Sequence, residues 1–438
     1  MTLSTLFIPD ARTKARNAAE RRFRIWGMAA VTLGLLSLVI LLTSVLGNGA
    51  SAFRQTFVQI PILLDEAVVD TSGTRDPAVM SKVTTIGYGK LMQKALLAEI
   101  AARGIDLGDL TPKEVMGLMS KEAPADLRDT VLADPSLVGT TITFNAFANG
   151  RVDGYFKGRV TMETAVRDSN ISPEQLSLAD ALADAGLIDT ALNPGFITMP
   201  DASELRPEAA GLGVAILGSA YMMLIVLVLA LPIGVAASIY LEEMAPKNRI
   251  TDLIEINIAN LAAVPSIVFG ILALALFINL VGLPQSAPIV GGLVLTLMTL
   301  PTIIIATRAS LKAVPPSIRD AALGVGASQM QTVMHHVLPL AMPGILTGTI
   351  LGLARALGES APLLLIGMVA FVRDYPGAPP EGFFDPASAL PVQVYSWTQR
   401  ADPAFAERAS GAIIVLLVFL LMMNALAIVL RRRFERRW

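Results

Sequence analysis

The stretch LARALGESAPLLLIG, residues 353–367, places an arginine, Arg355, and a glutamate, Glu359, inside an otherwise apolar run. A charge at membrane depth costs a few kcal/mol or more. Residues four apart share one face of a helix, so the two side chains can pair and reduce the cost of burying each other. Either the pair only locks helix packing, or Arg355 faces a path for an anion, because a guanidinium donates paired hydrogen bonds to phosphate-like oxygens.

The composition indicates an integral membrane protein. Of the 438 residues, 53% are hydrophobic and 16% are charged, whereas a soluble globular chain carries about 25% charged residues. The chain has no cysteine and two histidines, His335 and His336, so we expect no disulfide, cysteine nucleophile or metal site. It contains no G-x-x-x-x-G-K-[ST] phosphate loop, so we expect no cofactor and no nucleotide hydrolysis by this chain.

Six apolar runs are long enough to cross a membrane, which takes about 20 residues. They cover about 25–46, 211–240, 256–280, 288–307, 340–371 and 410–430. Basic residues flank the first and the last run, and lysine and arginine favour the cytoplasmic side. We therefore expect both termini in the cytoplasm of an inner-membrane protein. The predicted order is a basic tail (1–24), a first span (25–46), an external insert (47–209), a membrane core (210–431) with a cytoplasmic loop (312–339), and a basic tail (432–438).

The first run has two interpretations. Ala50-Ser51-Ala52 resembles a signal-peptide cleavage site. The apolar run before it is near 20 residues, however, and signal peptides use about 7–15. The length favours a retained helix, and both interpretations leave the following segment outside.

Residues 47–206 are expected to form a small α+β domain. They carry 21 acidic and 14 basic residues, which fits an external position. Thr111 and Glu114 have the spacing of a capping box that starts a helix. The segments 141–147 and 155–166 favour strands by their β-branched content. No acidic pair is arranged for catalysis, so the domain is interpreted as a spacer or docking surface.

Residues 312–339, which we call the elbow, predict two short helices. Pro315 and Pro316 stop the preceding helix. Gly324 and Gly326 interrupt the next one, and Ser328 with Gln331 starts another that Pro339 is expected to end. Small side chains along the elbow would let another surface approach closely.

The elbow resembles the EAA loop of ABC importer permeases. In DAALGVGASQMQTVMHHVLP (320–339), the matching positions are Asp320, Ala321, Ala322, Gly326, Leu338 and Pro339. Two positions depart from the pattern: Asp320 replaces the usual glutamate, and His336 stands at the isoleucine position. The resemblance implies that these residues dock on an ATP-hydrolysing subunit and transmit its closure.

Further motifs, in one order, resemble the PstA family of phosphate-import permeases. They are AAVPSIVFGIL (262–272), ASLKAVPPSIRDAALGVGAS (309–328), ARALGESAPLLLIG (354–367) and ALPVQVYSW (389–397). The resemblance covers about residues 195–438, and the long insert departs from it.

This resemblance implies an all-α membrane protein of the ABC importer permease type that is not itself an enzyme. The implied partners are a PstC-like permease, a PstB-like ATPase dimer that binds ATP and magnesium, and an external PstS-like phosphate-binding protein. The same fold could import molybdate, sulfate or an amino acid, and a secondary transporter or membrane-anchored sensor stays an alternative. The substrate pathway is expected to involve Arg355, Glu359, Ser360, Ser266 and Arg308, although Arg308 at a span end can also reach headgroups.

Overall fold

The computed structural model describes residues 11–70, 73–369 and 371–434, and it is mostly helical. A bundle of apolar helices carries a compact insert between its first two long helices. We name the two ends of the bundle after what lies there, the insert end and the elbow end.

The first helix, α1 (Ala11–Gly49), is one unbroken element of 39 residues. It therefore extends the predicted span at 25–46 through the basic segment before it, because alanine, arginine and glutamate are good helix formers. Residues 14–41 are all exposed. The helix meets the bundle at its other end, where a Cβ atom on Gly49 would lie 2.6 Å from the backbone of Ser410. Glycine is what allows this close crossing.

The insert is a three-stranded antiparallel sheet with helices, in the strand order β2-β1-β3. Its elements are β1 (Arg54–Leu63), α2 (Glu66–Val69), α3 (Pro77–Met80), α4 (Thr85–Ala102), α5 (Pro112–Met116), α6 (Ala123–Ala133), β2 (Thr141–Phe147), α7 (Gly150–Phe156), α8 (Met162–Ala165), α9 (Pro173–Asp184) and β3 (Ile188–Leu192). We define the insert as residues 54–192. The short α10 (Gly195–Thr198) follows it.

The core of the insert follows from two periodicities. Every second residue of β1 points to one face, and Val58, Ile60 and Ile62 are fully buried there. Tyr88, Met92, Leu96 and Ile100, four residues apart on α4, share the same buried cluster. Each buried apolar side chain contributes about 1.5–3 kcal/mol. The predicted α+β class is confirmed, as is the Thr111–Glu114 capping box.

One predicted strand is wrong and one is right. The segment 141–147 forms β2 as predicted. The segment 155–166 instead contains the end of α7, a turn and α8. Gly158, at φ +75°, lies in that turn, and the Thr161 side chain caps α8. Turn and cap chemistry therefore overrides the β-branched content of this segment.

The bundle contains α11 (Gly213–Ile239), α12 (Arg249–Ala262), α13 (Ser266–Ala273), α14 (Pro288–Lys312), α15 (Pro316–Gly324), α16 (Gln329–Thr332), α17 (Leu338–Leu357), α18 (Ala361–Leu365), α19 (Leu390–Gln399) and α20 (Ala404–Phe434). Three π-helical turns, Tyr240–Met244, Leu274–Leu280 and Val333–Val337, extend or join these helices. Across the described ranges, five helices are long and apolar enough to cross a membrane, or six if one bent pair counts as a span.

Two predicted spans are interrupted. The third, at 256–280, lies in two helices, Arg249–Ala262 and Ser266–Leu280, that meet at an angle of 100°. Pro265 explains the bend, because proline disfavours helical backbone in the residue before it. The fifth, predicted to run from 340 to 371, ends at Leu357. Gly358 follows as the C-cap, and Pro362 is in the first turn of α18.

A cluster of buried charges, which we call the insert junction, attaches the insert to α20. The Lys157 ammonium lies 2.8 Å from Asp153 and 3.1 Å from Glu407. Arg159 lies 2.5 Å from Glu407. The side chains of Asp153 and Glu407 are 4% exposed. Such pairs hold their geometry strongly, because removing one partner leaves a buried charge uncompensated.

Candidate translocation and coupling sites

The opening motif lies at a helix end and not in the middle of a helix. Arg355 is in the last turn of α17, and Glu359 lies beyond the helix end. At 1.5 Å per residue, Arg355 is about 25 Å from the elbow end of α17. Because Gly348 of α17 packs at Ala306 of α14, Arg355 lies about level with the middle of α14, and its depth in a membrane stays a prediction.

The pair between Arg355 and Glu359 is loose. The closest nitrogen–oxygen distance is 3.8 Å, and the arginine side chain is 52% exposed while the glutamate side chain is 22% exposed. That distance is longer than a hydrogen bond. Within the described residues, Glu359 is the one carboxylate within 4 Å of this guanidinium. An arginine held this way keeps donors for another anion.

The close packing of α17 on α14 lies next to the stripe of α17 that carries Arg355. Gly344, Gly348 and Gly352 recur every four residues and lie against α14, where a Cβ atom on Gly348 would overlap Ala306. Small residues at this spacing let two helices approach closely. The neighbouring stripe, with Leu351 and Arg355, is left exposed. In this chain alone, Arg355 therefore points away from the packed core of the bundle.

Ser360 and Ser266 lie at two helix starts that pack near each other. Ser360 is the N-cap of α18, and Ser266 is the first residue of α13 after Pro265. Both are half-buried. Gly270 of α13 packs on Pro362 of α18, where a Cβ atom on the glycine would lie 2.8 Å from the proline Cα. The structure thus brings these two motif segments side by side.

Arg308 is held in a separate charge cluster. Its guanidinium lies 3.3 Å from Glu242 and 2.5 Å from Glu255, and Lys312 lies 3.4 Å from Glu242. Ala306 packs at Gly348 and Ser310 at Gly344, so Arg308 is about 14 Å from Arg355 along the bundle. The two arginines therefore do not form one site in this chain.

The elbow is clamped to the end of α11 by Arg319. Its guanidinium lies 2.6 Å from a carboxylate oxygen of Glu243 and donates to the carbonyl oxygens of Val314 and Leu311 at 2.8 and 2.9 Å. Gln329 donates to the Glu243 carbonyl oxygen. The hydrogen-bonded Glu243 carboxylate raises the pKa of Arg319 above its ordinary value. These contacts tie the start of the elbow and α16 to one point.

The predicted coupling residues divide into two groups. Asp320, Ala321 and Gly326 are exposed, and Gly326 has a φ of +93° at the turn between α15 and α16. Ala322 is buried against the bundle, and Leu338 and Pro339 are half-buried at the start of α17. The exposed group is accessible to another protein, while the other residues are partly or fully covered by the bundle.

The sequence indicated that Pro339 ends a helix, and the structure shows that this prediction is wrong. Helical structure runs from Gln329 to Leu357 through the π turn Val333–Val337. The proline stands in the first turn of α17, where its missing N–H is tolerated. A π turn adds one residue to the helix, so the chain passes the proline without a break.

Sequence reasoning missed the carboxylates that complete these clusters. Glu242, Glu243 and Glu255 pair with the arginines of the elbow end. A signal was present, because two adjacent glutamates directly follow the apolar run of α11. Glu407 of the insert junction gave no such signal, since its partners lie about 250 residues away in sequence.

Comparisons with known proteins match the two parts of the chain separately. Residues 230–438 match the family described as "Binding-protein-dependent transport system inner membrane component". Residues 10–166 match a domain of unknown function, DUF3333. The match at 230–438 starts inside α11 and covers the helices that follow it.

Relatives with known names share the same half of the chain. The probable ABC transporter permease protein YqgI of Bacillus subtilis is 34% identical over 50% of this chain and 78% of its own length. The phosphate transport system permease protein PstA of Xylella fastidiosa (strain Temecula1) is 32% identical over 52% of this chain and 77% of its own. PstA 1 of Mycobacterium tuberculosis (strain CDC 1551) is 31% identical over 51% and 71%.

Among solved structures, the MetNI methionine ABC transporter in inward-facing conformations aligns with 51% of this chain and 97% of that chain, at a TM-score of 0.41 and 17% identity. The sequence relatives cover about the same share of this chain at higher identity. On their basis, this chain belongs to the family of binding-protein-dependent transport system inner membrane components, the ABC transporter permeases.

Proposed function

We propose that this chain is the permease subunit of an ATP-driven importer of inorganic phosphate. It would form one half of the translocation pathway and leave ATP hydrolysis to a partner. The observation that carries the proposal is Arg355, a half-exposed guanidinium with one loose carboxylate partner at a helix break. A planar guanidinium recognises phosphate oxygens in pairs.

The partners follow from the same reasoning. A PstC-like permease would complete the pathway on the exposed face that carries Leu351 and Arg355. A PstB-like ATPase dimer would dock on the exposed elbow residues Asp320, Ala321 and Gly326. An external PstS-like binding protein would deliver phosphate at the insert end. Both termini would then lie in the cytoplasm, with the insert outside.

Glu359 gives the proposed site a way to release its substrate. At 3.8 Å it is close enough to hold the arginine and too far to saturate it. Phosphate would compete with the carboxylate for the guanidinium, and the carboxylate would take the arginine back after the anion moves on. Ser360 and Ser266 would add hydroxyl donors from the adjoining helix starts.

The test is transport in vesicles that contain the assembled complex. ATP is supplied inside, with the binding protein and labelled phosphate outside. We expect uptake that depends on ATP and is competed by unlabelled phosphate. Uptake without an ATPase subunit would instead support a secondary transporter.

The name of the YqgI relative gives no substrate, so other substrate classes are tested beside phosphate. The same vesicles decide between them. If molybdate, sulfate or an amino acid competes more strongly for uptake than phosphate does, that compound is the substrate. The chain would then still be a permease subunit.

A further inference from the structure

Two of the contacts between the insert and the rest of the chain differ in kind. The first is the insert junction, where the charged side chains of Asp153, Lys157 and Glu407 are at most 6% exposed. The second joins Glu122, at the start of α6, to residues 371–376, which we call the outer loop. The first contact is buried and has several partners for each charge, so it holds the insert in a fixed position on α20.

The second contact is a single ion pair that is exposed on its arginine side. Arg373 lies 3.4 Å from Glu122, and its side chain is 63% exposed. Glu122 also contacts Arg206, which lies in the segment between the insert and α11. Tyr375 donates to the carbonyl oxygen of Thr198. An exposed ion pair adds little stability and breaks easily.

The outer loop has unfilled space on both sides. A cavity of about 140 Å³ separates it from the insert, lined by Glu122, Asp126, Arg206, Phe371 and Arg373 among others. A cleft of about 430 Å³ on its other side is lined by Phe371, Tyr395 and Gln399. Protein interiors are normally close-packed. The outer loop therefore has room to move without first displacing other side chains.

The outer loop is connected to the candidate pathway through the chain itself. It follows α18, which begins directly after the break that holds Arg355 and Glu359. Leu363 and Ile366 are buried in the bundle core, and Ser286 donates to the Gly367 carbonyl oxygen at 2.6 Å. A displacement of this segment would therefore be carried into the outer loop.

We propose that Glu122 is a positioning residue for transport, which holds the outer loop against the insert in one state of the cycle and releases it in another. The insert, fixed to α20, is the anchor against which the outer loop moves. The inference rests on the proposed transport role and not on the identity of the substrate. It gives the insert a task in the permease, where the family pattern has no such domain.

The test uses the fact that the chain has no cysteine. One double variant, Glu122→Cys with Arg373→Cys, allows a short bifunctional thiol reagent to fix the outer loop to the insert. The matched control, Arg151→Cys with Asp402→Cys, replaces another arginine–carboxylate pair, 3.3 Å apart, that joins the insert to the start of α20. Both are made in the full complex, and uptake is measured before cross-linking, after it, and after cleavage of the linker by reductant.

We expect cross-linking of the first pair to reduce uptake at least tenfold, with recovery on reduction, and cross-linking of the control pair to leave uptake unchanged. Equal uptake with the first pair cross-linked would overturn the proposal, since the outer loop would then not separate from the insert. Loss of uptake with the control pair cross-linked would also overturn it, because the insert would not be fixed to α20.

A second readout does not depend on the substrate. The cross-linking yield of each pair is compared between nucleotide-free and ATP-trapped complexes. We expect the yield to change for the first pair and stay constant for the control pair, and an unchanged yield for the first pair contradicts the proposal. If phosphate is not the substrate, unmodified complexes will show no phosphate uptake while this difference in yield persists.

Discussion

Arg319 at the elbow end of the bundle and Arg355 at the break after α17 are held in opposite ways. Arg319 has a carboxylate at 2.6 Å and two backbone carbonyl oxygens below 3 Å. Arg355 has one carboxylate at 3.8 Å and a half-exposed side chain. The first arrangement uses the donors of the guanidinium to fix the chain, and the second leaves donors for a ligand. The number of close partners therefore distinguishes an arginine that acts as a structural clamp from one that is a candidate binding group.

The insert junction belongs with Arg319, since every charge in it is met by an opposite one. The contact between Glu122 and Arg373 belongs with Arg355, because the arginine is 63% exposed and lies 3.4 Å from the carboxylate. Firmly and loosely held charges thus alternate from the elbow to the insert. Rigid segments are tied by the first kind, and the places expected to move or bind are marked by the second.

The largest effect is expected at the insert junction. Glu407→Gln leaves Lys157 and Arg159 with fewer opposing charges in a buried site, which should lower the free energy of unfolding of the insert by about 3 kcal/mol. The measurement is the thermal midpoint at which the insert of the purified chain becomes sensitive to protease. The control, Glu381→Gln at an exposed position, should leave the midpoint unchanged. Equal midpoints for both variants would show that the insert junction contributes no more stability than a loosely held contact.

Arg355→Ala should abolish phosphate uptake, by about 100-fold or more, because two charge-assisted hydrogen bonds to the anion are lost. The complex should still assemble, since the side chain holds nothing else in place. Arg355→Lys keeps the charge without the paired donors and should retain part of the uptake. Arg249→Ala controls for the loss of an exposed arginine. Full uptake by Arg355→Ala would remove this residue from the pathway.

Arg319→Ala should weaken coupling and not substrate binding. The change frees the elbow from Glu243 and should cost about 1–3 kcal/mol locally. We expect the ratio of phosphate transported to ATP hydrolysed to fall several-fold, with unchanged competition by phosphate. Arg319→Lys keeps the charge and one donor at a time and should fall in between. A normal ratio in Arg319→Ala would mean that the clamp is dispensable.

The smallest effect concerns Asp126, beside Glu122 and Arg373. Burial raises the pKa of its carboxyl from 3.8 to about 6. Because the folded state binds the proton more tightly, stability is lost as the pH rises from about 4 through about 6. Asp126→Asn should therefore stabilise the insert at pH 7.5 by about 1 kcal/mol, after allowance for solvent screening at this partly exposed site.

The measurement for Asp126→Asn is the same protease midpoint at pH 7.5 and pH 4.5. The gain should shrink at the lower pH, where the native carboxyl already carries its proton. Asp129→Asn, at an exposed neighbour with 69% of its side chain exposed, should change the midpoint less. An equal gain for Asp126→Asn at both pH values would rule out titration as its cause.

The sequence predicted the parts of the fold that depend on local pattern. Apolar runs of the right length indicated the long helices, and alternation over residues 141–147 indicated β2. The predicted span at 256–280 contains a bend of 100° that its apolar content does not reveal, although Pro265 marked the place. The strand predicted over residues 155–166 was wrong for another reason, because the β-branched residues there lie in caps and turns.

The sequence identified residues of the candidate sites but not the side chains that surround them. Arg355 and Glu359 were found from their cost in an apolar run, but their position at a helix end required the structure. The partners of Arg308, Arg319 and Lys157 come from distant segments, so no local pattern could assign them. Whether an arginine is saturated depends on those partners, and this property separates the clamp from the candidate binding group.

The single crossing of α1 with α20 has a consequence for the surroundings of the protein. Residues 25–41 touch no other part of the described chain closely enough to be buried, so lipid tails would surround this part of the helix wherever no partner subunit covers it. Its tilt would then follow the thickness of the bilayer. One short turn, Ala50–Phe53, leads from α1 directly into the central strand of the insert. A change in lipid composition that alters the tilt of α1 would thus act first on β1, the central strand of the sheet.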